Sequence, residues 1–397
     1  MLPEGSLKIL RIDFENLRFY KNGKLSLDFY ATDRVSDIDQ VYNLYKSLYV
    51  QKLISFIGIN ASGKTATLNL IDFVLDIIIN NRDLNSIQVK ENLFEETFKL
   101  TAYFVYDEKI YEWKATIGKN GKPNNQNKAL RLYFIDELVK AKSLAKIKTK
   151  KDVFLFSEKD ICINRHNLGD SSAFLKDDAS VLLGVTKRNK VVFSQLINYT
   201  NANVFFNTNI KPTYIEDLAS VFDPSIEKLS CEYNEDTVHY KLKFKNQNPL
   251  NINDPFSLGD IVSSGTIKGQ NMLSYIVDVL KSGGYIIVDE LENHFNKELV
   301  KTIMNLFLSP KTNPHGACMI FSTHYTELLD FLERKDNIFV TRKINPDNNE
   351  IDVVKYAAEY KRADVKKSEV IFANIIKGSV PQYENLQKLR KYICQIL

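Results

Sequence analysis

The chain has 397 residues, 44% hydrophobic, 11% aromatic and 26% charged, a balance that excludes a disordered chain or a tiny stapled scaffold and leaves room for two or three lobes. Lys and Arg total 53 against 49 Asp and Glu, and a net charge of +4 is too mild to mark the whole surface for nucleic acid, so any basic patch must be local. Cys162, Cys231, Cys318 and Cys394 form no CxxC, no His stands at ligand spacing, and residues 1–6 lack a basic stretch followed by an apolar one, which together predict reduced thiols and a soluble, cytoplasmic chain.

From Leu7 to Phe29 apolar residues alternate around Lys21-Asn22-Gly23-Lys24, which predicts a β-hairpin. Leu53–Ile57 is a short apolar run ending at a glycine, and helix-period residues follow to Ile79; strand, tight loop and helix is the expected order. That helix holds Asp72 and Asp76 and is too short to cross a bilayer. Phe98–Tyr106 and Ile110–Ile117 alternate on either side of Asp107-Glu108-Lys109 and predict antiparallel strands. Residues 129–222 read as mostly helical, with strand character at 152–156. Alternation returns at Leu229–Phe244, residues 246–255 are turn-rich, and helix and strand then alternate to about Val340, with a helical segment expected from Val354 onward.

Gly58-Ile59-Asn60-Ala61-Ser62-Gly63-Lys64-Thr65 fits GxxxxGK[ST] between that strand and that helix. Backbone N–H groups of 58–63 and the helix start at Ala66 suit phosphate oxygens; Lys64 reaches the β and γ phosphates, and the Thr65 hydroxyl suits Mg²⁺. A nucleoside triphosphate with magnesium is the expected ligand. Tyr285–Val288 is a buried-strand run tipped by Asp289, for the metal, and Glu290, for polarising a water. Cys318–Thr323 is a second such run, ending in His324, a candidate γ-phosphate sensor at the sheet edge where α/β ligands bind. Ser263-Ser264-Gly265-Thr266 precedes an amphipathic helix, with Gly265 24 residues before Asp289. Ser264 also suits a plain helix N-cap.

With these motifs in this order, the chain resembles ABC-type ATPase heads of the RecF, SMC and OLD-like group, and is most similar to stand-alone AAA-type ATPases of bacterial abortive-infection and anti-phage operons. Residues 12–19, 257–265, 289–295 and 321–324 carry the resemblance. It implies an α/β P-loop head with an N-terminal antiparallel β subdomain and an inserted, mostly helical lobe. The implied division is 1–128 and 223–345 for the two parts of the head, 129–222 for the insertion and 346–397 for a helical extension. It further implies that Ser263, Ser264 and Gly265 form a signature that binds the γ-phosphate held by a second copy, so that ATP joins a homodimer or larger homo-oligomer. Glu292-Asn293-His294 would form a D-loop at that seam, and Arg18 and Asn16 would approach the nucleotide. No Gln is assigned to the family's Q-loop, and Leu17, Phe19 and Tyr20 depart from its usual opening turn.

After His324, Asp347 and Asp352 are wrongly spaced for an appended TOPRIM nuclease, so the resemblance implies an ATP-driven switch controlling a separately encoded effector, such as a nuclease or toxin. The alternative is a RecF-like DNA-binding ATPase of repair or recombination. Its contact surface would be Lys140, Lys142, Lys146, Lys148, Lys150 and Lys151, a run without an acid that equally suits a solvated helix face.

Overall fold

Period-two alternation builds the first sheet and continuous burial the second. The computed structural model describes residues 6–88, 91–120, 131–169, 175–186, 196–199, 216–234, 237–293, 295–343, 349–362, 364–381 and 383–396. Strands β1 (Leu7–Leu17) and β2 (Lys24–Asp28) form the expected hairpin, with Phe14 opposite Leu25. A small ribbon of β3 (Val41–Tyr45) and β4 (Leu48–Gln51) leads into β5 (Leu53–Ile57), buried throughout, and then α1 (Lys64–Ile78). β6 (Phe94–Tyr106) and β7 (Lys109–Asn120) pair antiparallel, Phe98 opposite Ile117.

The mostly helical reading of 129–222 does not hold for the described residues. Over Arg131–Ser143 runs a 13-residue strand, β8, paired along β7, followed by β9 (Ile161–Asn164), giving the order β2-β1-β6-β7-β8-β9. A bulge explains why the alternation was hidden. Thr116 pairs with Asp136 but Ile117 with Phe134, so Ile135 is the extra residue and the buried positions change phase, from Leu132 and Phe134 to Glu137 and Val139. One of those inward positions is a carboxylate: Glu137, fully buried, accepts from Trp113 Nε1, Ser180 Oγ and Arg165 Nη1. The strand expected at 152–156 is absent too; Lys150–Phe154 is a 3₁₀ turn closed by a Thr149–Asp152 capping box.

Next come α2 (Leu183–Thr186), β10 (Leu196–Tyr199) and α3 (Ala219–Phe222). β11 (Ile226–Asn234), β12 (Thr237–Phe244) and β13 (Leu250–Ile252) form a three-stranded sheet, and its apolar face packs on Ala219 and on Leu258 of α4 (Pro255–Ile261) and Ile267 of α5 (Ser264–Ser282). β14 (Tyr285–Val288), α6 (Lys297–Leu308), β15 (Cys318–Thr323), α7 (Leu328–Phe331) and β16 (Ile338–Arg342) follow. Where helix was expected from Val354, the chain first adds β17 (Asp352–Lys355), antiparallel to β16, and only then α8 (Tyr356–Glu359), α9 (Lys367–Phe372) and α10 (Tyr383–Ile396).

The central sheet has the order β10-β14-β15-β5-β16-β17 and is parallel from β10 to β16. Successive side chains along a strand point to opposite faces, so each inner strand serves two cores. Ile54, Phe56, Ile287 and Ile320 share one with α1 and the first sheet, where Phe73 meets Phe94 at 5.5 Å between ring centroids. Leu53, Ile57, Ile286 and Met319 share the other with α5 and α6. Full burial of each such side chain contributes about 1.5–3 kcal/mol. At one seam the buried Lys8 Nζ donates to the carbonyls of His315 at 2.9 Å and Gly316 at 2.7 Å, and to Gly283, joining β1 to the loops that enter β14 and β15. Among the described residues, no helix is long and apolar enough to cross a membrane.

Candidate active site

Parallel pairing brings the C-terminal ends of β5, β14 and β15 to one edge, Thr323 opposite Ile57 and Val288 opposite Phe321. Functional groups at a switch of strand order therefore meet there. The loop leaving β5 starts at Gly58, where a Cβ would lie 2.2 Å from the Thr341 carbonyl oxygen, so only glycine fits against β16. It curls through Ala61 at φ 59° and Gly63 at φ 103°, and Gly63 stands at the N-cap of α1. A glycine cap carries no side chain to occupy the opening N–H groups, and the helix dipole adds positive potential there. Asn60, Ala61 and Thr65 are exposed, Gly63 and Ala66 half-buried, and Ser62 is buried with its hydroxyl 2.7 Å from that of Thr341.

Lys64 Nζ donates to the loop's own carbonyls, Gly58 at 2.9 Å and Ile59 at 3.1 Å. Burial lowers its pKa, while Asp289, Glu290 and Glu292 pull the other way. Positive charge is thus held among acids just behind the loop.

The Thr65 hydroxyl donates to Asp289 Oδ2 at 2.5 Å, bridging α1 and the tip of β14. Ser322 on β15 donates its hydroxyl to Asp289 Oδ1 and accepts the Glu290 N–H at 2.8 Å. Glu290 sits at φ 51°, an uncommon conformation for a side-chain-bearing residue, and its Oε1 is 3.7 Å from His324 Nε2. Both side chains stay open to solvent, 46% exposed for Glu290 and 31% for His324. The structure thus brings Lys64, Thr65, Asp289, Glu290 and His324 together. A hydroxyl and a carboxylate at one point are the hard oxygen donors magnesium takes, and the accessible Glu290 carboxylate can accept a proton from water.

Other expected site residues lie elsewhere. Ser263, rather than Ser264, caps α5: its Oγ accepts the Thr266 N–H at 3.2 Å and lies 2.8 Å from the Thr266 hydroxyl. Ser264 and Gly265 are half-exposed in the first turn, and among the described residues no hydrogen bond or ion pair joins them to 58–65 or to Asp289 and Glu290. The Arg18 guanidinium pairs with Glu95, Nη2 to Oε2 at 3.2 Å, on the outer face of the first sheet. The Asn16 side chain donates to the Thr97 carbonyl at 3.2 Å. His294 lies outside the described residues.

Sequence reasoning passed over three contributors. Ser322 was visible two positions before His324, yet a serine in a buried strand carries no signal of its own. Thr341 and Ile351 come from the far end of the chain. A Cβ on Gly63 would meet the Ile351 side chain at 2.7 Å, and Ile351 is held by its N–H to the Phe19 carbonyl at 2.6 Å and by the Lys21 N–H to its own carbonyl at 2.9 Å. Pairing of β16 with β5 brings Thr341 to the loop, and the bridge of Ile351 to Tyr20, next to the pairing of β17 with β16, brings Ile351 there.

No curated protein matches the chain. Residues 53–330, more than half of the 397, match the family model described as "AAA domain, putative AbiEii toxin, Type IV TA system". That span opens on β5 and takes in Lys64, Thr65, Asp289, Glu290, Ser322 and His324. The chain therefore belongs to this P-loop AAA ATPase family, which is linked to abortive infection.

Proposed function

We propose that this chain binds ATP with Mg²⁺ and hydrolyses it, and that two copies sandwich the nucleotide in an ABC-type switch that controls a separately encoded effector in anti-phage defence. The observation that carries the reading is the meeting of Lys64, Thr65, Asp289, Glu290 and His324 at one sheet edge. Lys64 leaves the Gly58 and Ile59 carbonyls for the β and γ phosphates. Thr65 and Asp289 would hold the cation, which when bound would supply positive charge to the phosphoryl oxygens. Glu290 takes a proton from the attacking water, and His324 donates to the γ-phosphate. The half-exposed Ser264 and Gly265, at the N-terminal end of a 19-residue helix, suit an anion brought by a second copy.

The test is turnover and assembly together. K64A abolishes ATP binding, while E290Q binds ATP, does not hydrolyse it and sediments as a dimer only with nucleotide. Unchanged hydrolysis in both variants overturns the enzyme reading; a nucleotide-saturated E290Q monomer overturns the switch.

The DNA-binding alternative is weakened by its own lysines. Lys142 Nζ donates to the Asp152 and Leu155 carbonyls, and Lys150 Nζ to those of Ala31, Thr32 and Asp33 at 2.7–3.2 Å. Lys140 stands 4.0 Å from Glu112. Lys146, Lys148 and Lys151 remain exposed, too few for a phosphate track along the run.

A further inference from the structure

The acids at the tip of β14 and the loop after β15 are laced together beyond the last paired residues of the two strands. The Leu291 N–H donates to the Ser322 carbonyl at 3.0 Å, and the His324 N–H donates to Glu292 Oε1 at 2.6 Å. Glu292 lies in a tight turn closed by the Asn293 N–H on the Glu290 carbonyl at 2.8 Å and the Phe295 N–H on its own carbonyl at 3.1 Å. Its carboxylate faces into its own chain: the residue is 8% exposed, and Oε2 has no hydrogen-bond partner among the described residues. Burying a carboxylate with half its acceptor capacity unused is costly. The short charge-assisted bond to the His324 backbone is what this carboxylate gains there.

From this geometry we infer that Glu292 is a positioning residue: it fixes the backbone at His324 so that the imidazole Nε2 stays beside Glu290, 3.7 Å from Oε1. The inference rests on the hydrolase reading of that edge and adds to it a residue that acts through the backbone of His324. A 1 Å misplacement of a catalytic group costs on the order of 100-fold in rate, and a loop end tethered by one side chain is free to shift that far once the tether is cut. Glu292 also stands among the acids that favour charged Lys64, so a role through charge is the competing account.

Two conservative changes separate them. E292Q keeps the reach and an acceptor oxygen but loses the charge, whereas E292D keeps the charge and falls one methylene short. Steady-state ATPase rates and amide hydrogen exchange across residues 323–326 are read for E292Q, E292D, E292A, H324A and E292A/H324A. Positioning gives E292Q most of the wild-type kcat and protection. E292D and E292A lose kcat toward the H324A level with KM for ATP little changed and exchange raised, and the double variant is no slower than H324A. The inference is overturned if E292D outperforms E292Q, if the losses in the double variant add, or if exchange at 323–326 is the same in E292D as in wild type. A wild-type chain with no ATP turnover would sink the proposed function instead, and the exchange comparison would still decide whether Glu292 holds the loop. E292Q and E292D separate positioning from charge even if E292A does not fold.

Discussion

The Ser322 hydroxyl donates to Asp289 Oδ1 and accepts the Glu290 N–H, so one side chain on β15 fixes both acids at the tip of β14. Hydrogen bonds to charged groups contribute about 1.5–3 kcal/mol. S322A therefore lowers ATP turnover by about 10–100-fold. Its KM rises as well if Asp289 loses its orientation toward the metal, and a magnesium titration of the rate reads that directly. Turnover equal to wild type would show that Ser322 does not orient the acids.

Gly58 has the tightest surroundings in the phosphate loop, with a backbone carbonyl where a methyl would stand. Backbone yields less readily than a side-chain end. G58A is expected to lose ATP-dependent thermal stabilisation, whereas 100 Kd of ligand stabilises the wild type by about 2.7 kcal/mol. Retention of the full nucleotide-induced shift would mean that the loop and β16 separate without penalty.

The six lysines of 140–151 divide into two groups with opposite expected behaviour. K142A takes its donor from the Leu155 carbonyl and K150A from the Ala31 and Thr32 carbonyls, and each lowers the melting temperature. Exchanging Lys146, Lys148 and Lys151 together for Gln leaves it within the usual range of surface changes, about 0.5 kcal/mol. Retained salt-sensitive binding to DNA in the K142A/K150A chain, lost only in the triple Gln variant, would restore the DNA-binding reading.

Burial pushes the Lys8 ammonium down from 10.5 to about 7. Between those values the unfolded chain holds a proton that the folded chain has released, so this group makes stability rise with pH from about 7 to 10.5; below 7 its burial penalty is fully present. Cys318 beside it is pushed up to about 12 and stays a neutral thiol throughout the window. K8M removes the titration and strands the carbonyls of Gly283, His315 and Gly316. Denaturant unfolding at pH 7, 8 and 9 is expected to show the wild-type advantage over K8M widening with pH; a constant gap would mean that Lys8 keeps its proton when folded.

The phosphate loop, the acids and His324 were legible because each sits where an apolar run ends, a boundary marked by consecutive residues. The β8 strand was not: its bulge at Ile135 breaks the alternation and puts Glu137 on the inner face, and a buried carboxylate satisfied by Trp113, Ser180 and Arg165 reads in sequence as an ordinary polar position. The same holds for the lysine run, where Lys142 and Lys150 look solvated until the carbonyls they serve are in place. The resemblance places Glu292 in a loop at the seam between copies, and nothing in the sequence marks its carboxylate as the acceptor of the His324 N–H in its own chain.

Ile351 presses on Gly63 and is pinned on both sides to the turn at Phe19–Lys21. The nucleotide loop is thus wedged between a stretch made before it and one made only after all of its motif residues. A nascent chain still lacking residue 351 carries every motif residue from Gly58 to His324 but not this support, so a ribosome-bound chain stalled before that point should grip ATP poorly, and the pocket matures only once residue 351 has emerged and folded back onto the loop.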